Sequence, residues 1–169
     1  AFRLAEAGVR DVVLVERDAL ASGSTSRAAG GVRAQFSDEL NVAIALRSLD
    51  AFARFGTRPG AEIDLHQVGY LFLLDRPADV ATFERSVELQ NALGVPGRMI
   101  EVAEAERLCP LAGTEGVLAA TYCPIDGHAS PEAVVQGYAA AARAHGARLE
   151  TACAVTAIEA ESGSVTAVE

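Results

Sequence analysis

Between Ser22 and Arg33 the chain reads SGSTSRAAGGVR, with four hydroxyl side chains, three glycines and two arginines in twelve residues. Bare backbone amides, small donors and local positive charge together suit an anionic or flat ligand lying against the main chain. Just upstream, DVVLVE, Asp11 to Glu16, is an apolar run closed by an acid. An acid at the end of the second strand of a doubly wound sheet accepts hydrogen bonds from the ribose hydroxyls of an adenine dinucleotide, and Glu16 holds that place. Each signal also has a plainer reading. Many strands end in an acid that caps or faces water, Ser24 to Ser26 also suit an ordinary helix-capping loop, and Arg33 is equally placed to pair with Asp38 or Glu39.

The elements that would position these residues follow from pattern. Ala1, Leu4, Ala5 and Gly8 read as the end of a helix with its glycine stop, and Asp11 to Glu16 as a parallel strand buried on both faces. Asp38 to Phe55 is a helix with Ser37 or Asp38 as N-cap, its core stripe being Leu40, Ala43, Ile44, Leu46 or Arg47, Leu49, Phe52 and Phe55. Val68 to Asp75 reads as a strand, Pro77 to Leu93 as a helix stopped by Gly94, and Val102 to Leu108 as a short helix. Gly116 to Pro124 is another strand, and Ser130 to His145 a helix with Ser130 as N-cap and Pro131 at its first position. Three β-rich runs close the chain: Arg148 to Ala152, Ala154 to Glu159 and Ser164 to Val168, the last two around Ser162-Gly163. Helices alternating with strands make this an α/β chain. Because it opens inside a helix and stops without a closing element, it reads as an internal segment of a longer protein.

Composition narrows the function. Half of the 169 residues are hydrophobic, which favours a packed domain over disorder. A formal charge of -9, with arginines scattered among the acids, argues against a nucleic-acid surface. The longest apolar runs fall far short of the roughly 20 residues of a membrane span. With no signal peptide, and with Cys109, Cys123 and Cys153 far apart and outside any CxxC spacing, the expectation is a reduced, cytoplasmic protein with no metal site. His66 and His145 read as solvated or capping residues and His128 as structural.

Three pieces in order, RLAEAGVRDVVLVERD, ASGSTSRAAGGVRAQFS and IDGHASPEAVVQGYAAAARAHGARLETACAVTAI, resemble the FAD-dependent oxidoreductases of the D-amino-acid oxidase (DAO) type. Within that family they are most similar to the branch of sarcosine oxidase β-subunits and dimethylglycine dehydrogenases. The resemblance implies an incomplete FAD/NAD(P)-binding Rossmann-like sheet with part of an α+β substrate-side insertion. Residues 1–58 and 127–169 would be two segments of the FAD-binding domain, and 59–126 the insertion. The glycine-rich phosphate loop is then expected upstream of Ala1.

By the same resemblance, Glu16 is the ribose-binding acid, and Ser24, Thr25, Ser26 and Arg27 form the loop and helix start along the FAD pyrophosphate and ribityl chain. Ala29, Gly30 and Gly31 are backbone beside the isoalloxazine ring, and the main chain of Val155 contacts adenine. Arg33 is the catalytic-pocket candidate, anchoring a substrate carboxylate. The implied activity is oxidation of the C-N bond of a small amine or amino acid to an imine with reduction of FAD, in a protein able to form hetero- or homo-oligomers. Two alternatives stand beside it: an α/β piece that holds no cofactor alone, and an NAD-linked dehydrogenase domain. Glu16 would serve the second equally well, but a simple NAD domain has no need of the stretch from Ser22 to Arg33.

Overall fold

The structure, a computed structural model, describes residues 1–169. Helix α1 (Phe2–Glu6) ends just before Gly8, and strand β1 (Val13–Val15) follows. A single 3₁₀ turn (Thr25–Arg27) and the short strand β2 (Gly31–Val32) lead to α2 (Glu39–Ala53). Asp38 opens α2 from an extended backbone, its carboxylate accepting the Asn41 N–H at 2.9 Å. That bond satisfies one of the amides a helix start leaves without a partner. Next come β3 (Tyr70–Leu74), α3 (Pro77–Ala92) with its proline in the first turn, β4 (Arg98–Ile100), α4 (Val102–Leu108), β5 (Ala119–Cys123) and β6 (Gly127–His128). Helix α5 (Pro131–Ala144) is capped by the Ser130 hydroxyl, which accepts from Ala133 N at 3.3 Å. Strand β7 (Arg148–Glu150) and the hairpin of β8 (Ile158–Glu161) and β9 (Ser164–Val168) complete the order. No helix is long and apolar enough to cross a membrane.

Contacts divide the chain into two units. The first comprises Ala1–Ala28, Gly56–Ile63 and Ser130–Glu169. In it β1 and β7 pair in parallel, from Val13 opposite Arg148 to Val15 opposite Glu150, the pairing expected of α/β architecture. Phe2, Ala5, Ala142 and Ala147 form its core, with Val12, Tyr138 and Leu149 packed around them. Gly137, Ala139 and Ala142 are the buried residues of α5, so a small-residue face lets neighbouring backbone come close. One expectation fails here: β1 is not buried on both faces, since Val13 and Val15 are 42% and 39% exposed. Its sheet has only two strands, so no further strand or helical layer covers that side.

The second unit comprises Ala29–Phe55 and Asp64–Ala129. Its main sheet is antiparallel in the order β3-β5-β4, and a smaller antiparallel pair joins β2 to β6. Ala34, Val42, Ala45, Leu49, Val95 and Cys123 make one core cluster; Ile100, Ala105 and Ala120 make another. The buried face of α2 is therefore Val42, Ala45 and Leu49, whereas Leu40 and Ile44 are 70% and 53% exposed. Part of the expected core stripe is thus wrong. A smaller face packs on Cys123 and Val95, and Ile44 turns toward a cavity instead.

Candidate functional site

In the first unit, Glu16 follows β1 directly and is half-buried. Its N–H donates to the Glu150 carbonyl at 2.8 Å, and Oε1 accepts the Asp18 N–H at 2.9 Å. The Glu16 carbonyl accepts from Cys153 N at 2.9 Å, and the Asp18 carbonyl from Ala152 N at 3.1 Å. These bonds lay the segment leading to Val155 along the carboxyl end of β1, the end at which open parallel sheets take their ligands. Val155 is 45% exposed, and its own N–H and carbonyl bond to nothing else in the chain.

The stretch Ser24 to Arg27 differs from the expected helix start. It is only a three-residue 3₁₀ turn, and Ser24 gives no side-chain cap. Ser26 Oγ donates back to the carbonyls of Ser22 and Gly23, at 3.2 and 3.1 Å, so that hydroxyl holds the loop. The amides of Gly23, Ser24 and Thr25 have no acceptor within the chain. So short a turn has little dipole of its own; consecutive unpaired amides are the anion-binding feature that remains.

In the second unit, Ala29, Gly30 and Gly31 lead into β2, where Gly31 lies opposite His128 and the Gly30 carbonyl accepts from Ala129 N at 3.0 Å. Gly30 has φ +79°, a left-handed conformation that favours glycine. Gly31 is different. A Cβ there would stand 3.4 Å from Tyr70 Cε2, an ordinary contact, so crowding within the chain does not explain its missing side chain.

Arg33 is half-buried, with its guanidinium carbon 5.4, 5.7 and 5.1 Å from the ring centres of Phe36, Tyr70 and Phe72. Aromatic faces attract a cation without neutralising it. The guanidinium makes no ion pair, neither with Asp38, whose carboxylate is committed to Asn41, nor with Glu39. It borders a cavity of about 490 Å³ whose walls include Phe36, Asn41, Ile44, Ser48 and Tyr70. That is a pocket with one free positive charge and mostly apolar walls.

Behind it lies a buried polar network that the pattern of the sequence does not reveal. Asp126 is fully buried; Oδ1 accepts the Ala34 N–H at 2.8 Å and Oδ2 accepts from Gln35 Nε2 at 3.1 Å. Gln35 Nε2 also donates to the Tyr70 carbonyl at 3.1 Å, and its Oε1 accepts from Thr121 Oγ1 at 2.9 Å. The buried Cys123 thiol lies beside the same carboxyl. Burial raises the Asp126 pKa above the usual carboxylate range, while the Ala34 amide, Gln35 and the thiol oppose that rise. The only local signal is an acid set between Ile125 and Gly127. A Cβ at Gly127 would strike the His66 carbonyl, so the start of β6 requires glycine.

The histidines fall at the edges. His66 and His128 exchange backbone hydrogen bonds of 2.8 and 3.0 Å, with their rings 5.1 Å apart. His66 is not merely solvated, since its Nε2 lies 2.8 Å from Asp64 Oδ1. His145 terminates α5, as a capping residue would, with its ring 5.9 Å from that of Phe2.

The model of the FAD dependent oxidoreductase family DAO matches residues 1–169. The chain is 34% identical over 160 residues to the mitochondrial dimethylglycine dehydrogenase of Mus musculus, an alignment covering 94% of this chain and 18% of that protein. Its fold is similar to that of L-proline dehydrogenase from P. horikoshii, with TM-score 0.90 and 35% identity, covering 99% of this chain and 44% of that one. Glycine oxidase from Geobacillus kaustophilus is also similar, with TM-score 0.80 and 27% identity over 94% of this chain and 44% of the other. The chain thus spans less than a fifth of the dehydrogenase from Mus musculus and less than half of either solved protein.

Proposed function

The chain belongs to the DAO family of FAD-dependent oxidoreductases, and on that premise we propose that its residues serve the oxidation of the C-N bond of a small amine or amino acid. The relatives named for dimethylglycine, L-proline and glycine support this substrate class, since each of those compounds pairs an amine nitrogen with a carboxylate. Bound FAD would supply the acceptor for a hydride equivalent, leaving an imine that hydrolyses. The residues present fit the cofactor: Glu16 keeps Oε2 for a ribose hydroxyl, and Val155 offers its main chain to adenine. The unpaired amides from Gly23 to Thr25, with the hydroxyls of Ser24 and Thr25, suit phosphate and ribityl oxygens. Ser26 shapes that loop and exposed Arg27 adds positive charge; taken by themselves in the second unit, the small residues Ala29, Gly30 and Gly31 suit a flat ring.

The observation that carries the reading is Arg33, a half-buried guanidinium held by three rings and without a carboxylate partner. It takes the substrate carboxylate, and the apolar wall of Ile44 and Phe36 takes the carbon skeleton and excludes water. In the FAD-loaded protein, Arg33→Ala should raise KM for dimethylglycine about ten- to hundredfold, the worth of charge-assisted hydrogen bonds, with a smaller change in kcat. Trimethylamine, the same amine without the carboxylate, should be indifferent to the substitution. Equal loss on both compounds, or loss on neither, would rule this role out.

A further inference from the structure

We infer that Asp126 is a positioning residue for Arg33, holding at the right angle both the backbone that carries the guanidinium and the strand that carries its aromatic wall. This rests on the reading of Arg33 as carboxylate anchor. Arg33 makes no hydrogen bond of its own, so its direction depends on its main chain and on the rings around it. The next peptide, at Ala34, is pinned by its N–H to Asp126 Oδ1 at 2.8 Å, across 92 residues of sequence. Through Gln35, the same carboxylate reaches the Tyr70 carbonyl at the start of β3, the strand that also bears Phe72. Thr121 on β5 fixes the remaining atom of the Gln35 amide, so each of its polar atoms has a partner.

The chemistry of the network specifies a carboxylate rather than an amide at position 126. Two hydrogen-bond donors, the Ala34 N–H and Gln35 Nε2, converge on it, one on each oxygen. An isosteric amide would turn an NH₂ toward Gln35 Nε2, donor against donor, and Gln35 would have to leave either Asp126 or Tyr70. Charge acts in the opposite direction, because removing a buried anion makes the pocket more positive. The two effects move acetate affinity in opposite directions, so that affinity separates geometry from charge.

The test compares dimethylglycine with trimethylamine and, independently of turnover, measures acetate against acetamide binding by calorimetry in the FAD-loaded protein. Asp126→Asn should raise KM for dimethylglycine and weaken acetate by about tenfold, leaving kcat, trimethylamine and acetamide nearly unchanged. Thr121→Val, which keeps the carboxylate, should show the same pattern at a few-fold size, and it carries the test if Asp126→Asn does not fold. Unchanged or tighter acetate binding in Asp126→Asn, or equal losses for charged and neutral probes, overturns the positioning role. Arg33→Ala that leaves acetate binding intact would instead overturn the anchor reading beneath it.

Discussion

Cys123 and Cys153 carry the same thiol in opposite surroundings. Burial, reinforced by the nearby Asp126 charge, pushes Cys123 up to about 12, while Cys153 is exposed. Since the thiolate is the nucleophile, Cys123 presents only about one reactive molecule in 10⁵ at neutral pH, and its burial closes even that route. Native protein treated with iodoacetamide should therefore be alkylated at Cys153 and spared at Cys123, as peptide mass spectrometry would show. Comparable labelling of both would mean that the network around Asp126 opens readily. Asp126 itself has a price in stability: a carboxyl raised in the folded state contributes stability that is complete below the ordinary carboxylate range and lost as pH rises through its raised value. The fold thus keeps a carboxyl whose charged form burial disfavours, which fits a residue kept for what it positions.

Helix starts in this chain are decided locally, and for that reason they were legible. Asp38 and Ser130 each stand ahead of a helical run with the acceptor a free amide needs, and both make the bond. Ser130→Ala should cost about 1 kcal/mol by thermal or urea unfolding, at any pH in the stable range. Asp38 behaves differently, because the Asn41 amide and side chain hold its carboxyl below the usual range. Its contribution is present above the ordinary carboxylate pKa and lost as pH falls through the lowered value, so the destabilisation in Asp38→Ala should fade on acidification, whereas Asp38→Asn should stay flat. A deficit in Asp38→Ala that persisted undiminished in acid would deny the cap an ionic character. The face of α2 was less legible: Ile44 and Leu40 satisfy a helical stripe as well as Val42 and Ala45 do, and periodicity cannot say which stripe meets a core and which borders a cavity.

Stability over the whole chain should follow burial. The β8–β9 hairpin is exposed along nearly its whole length, whereas Thr121, Cys123 and Ala120 on β5 are fully buried in the middle of a three-stranded sheet. Native-state hydrogen exchange should find amides of residues 158–168 exchanging well ahead of those of β5; protection in the reverse order would contradict the cores described here. Five helices, the parallel strand just before Glu16, the glycine-rich stretch to Arg33 and the family they belong to could be read from residue order, because caps, periodic stripes, apolar runs and loop motifs act over a few positions. Strands β2, β4 and β6 could not, since they are two or three residues with no longer apolar run around them, as DVVLVE gives β1, and exist only by pairing with a partner elsewhere in the chain. For the same reason only the tertiary structure shows that Arg33 turns away from the nearby acids Asp38 and Glu39 into three rings, and that the carboxylate of Asp126, 92 residues beyond Ala34, bonds the peptide next to it. Which donor meets which acceptor at that distance is settled by how the strands close together, and nothing in local spacing records it.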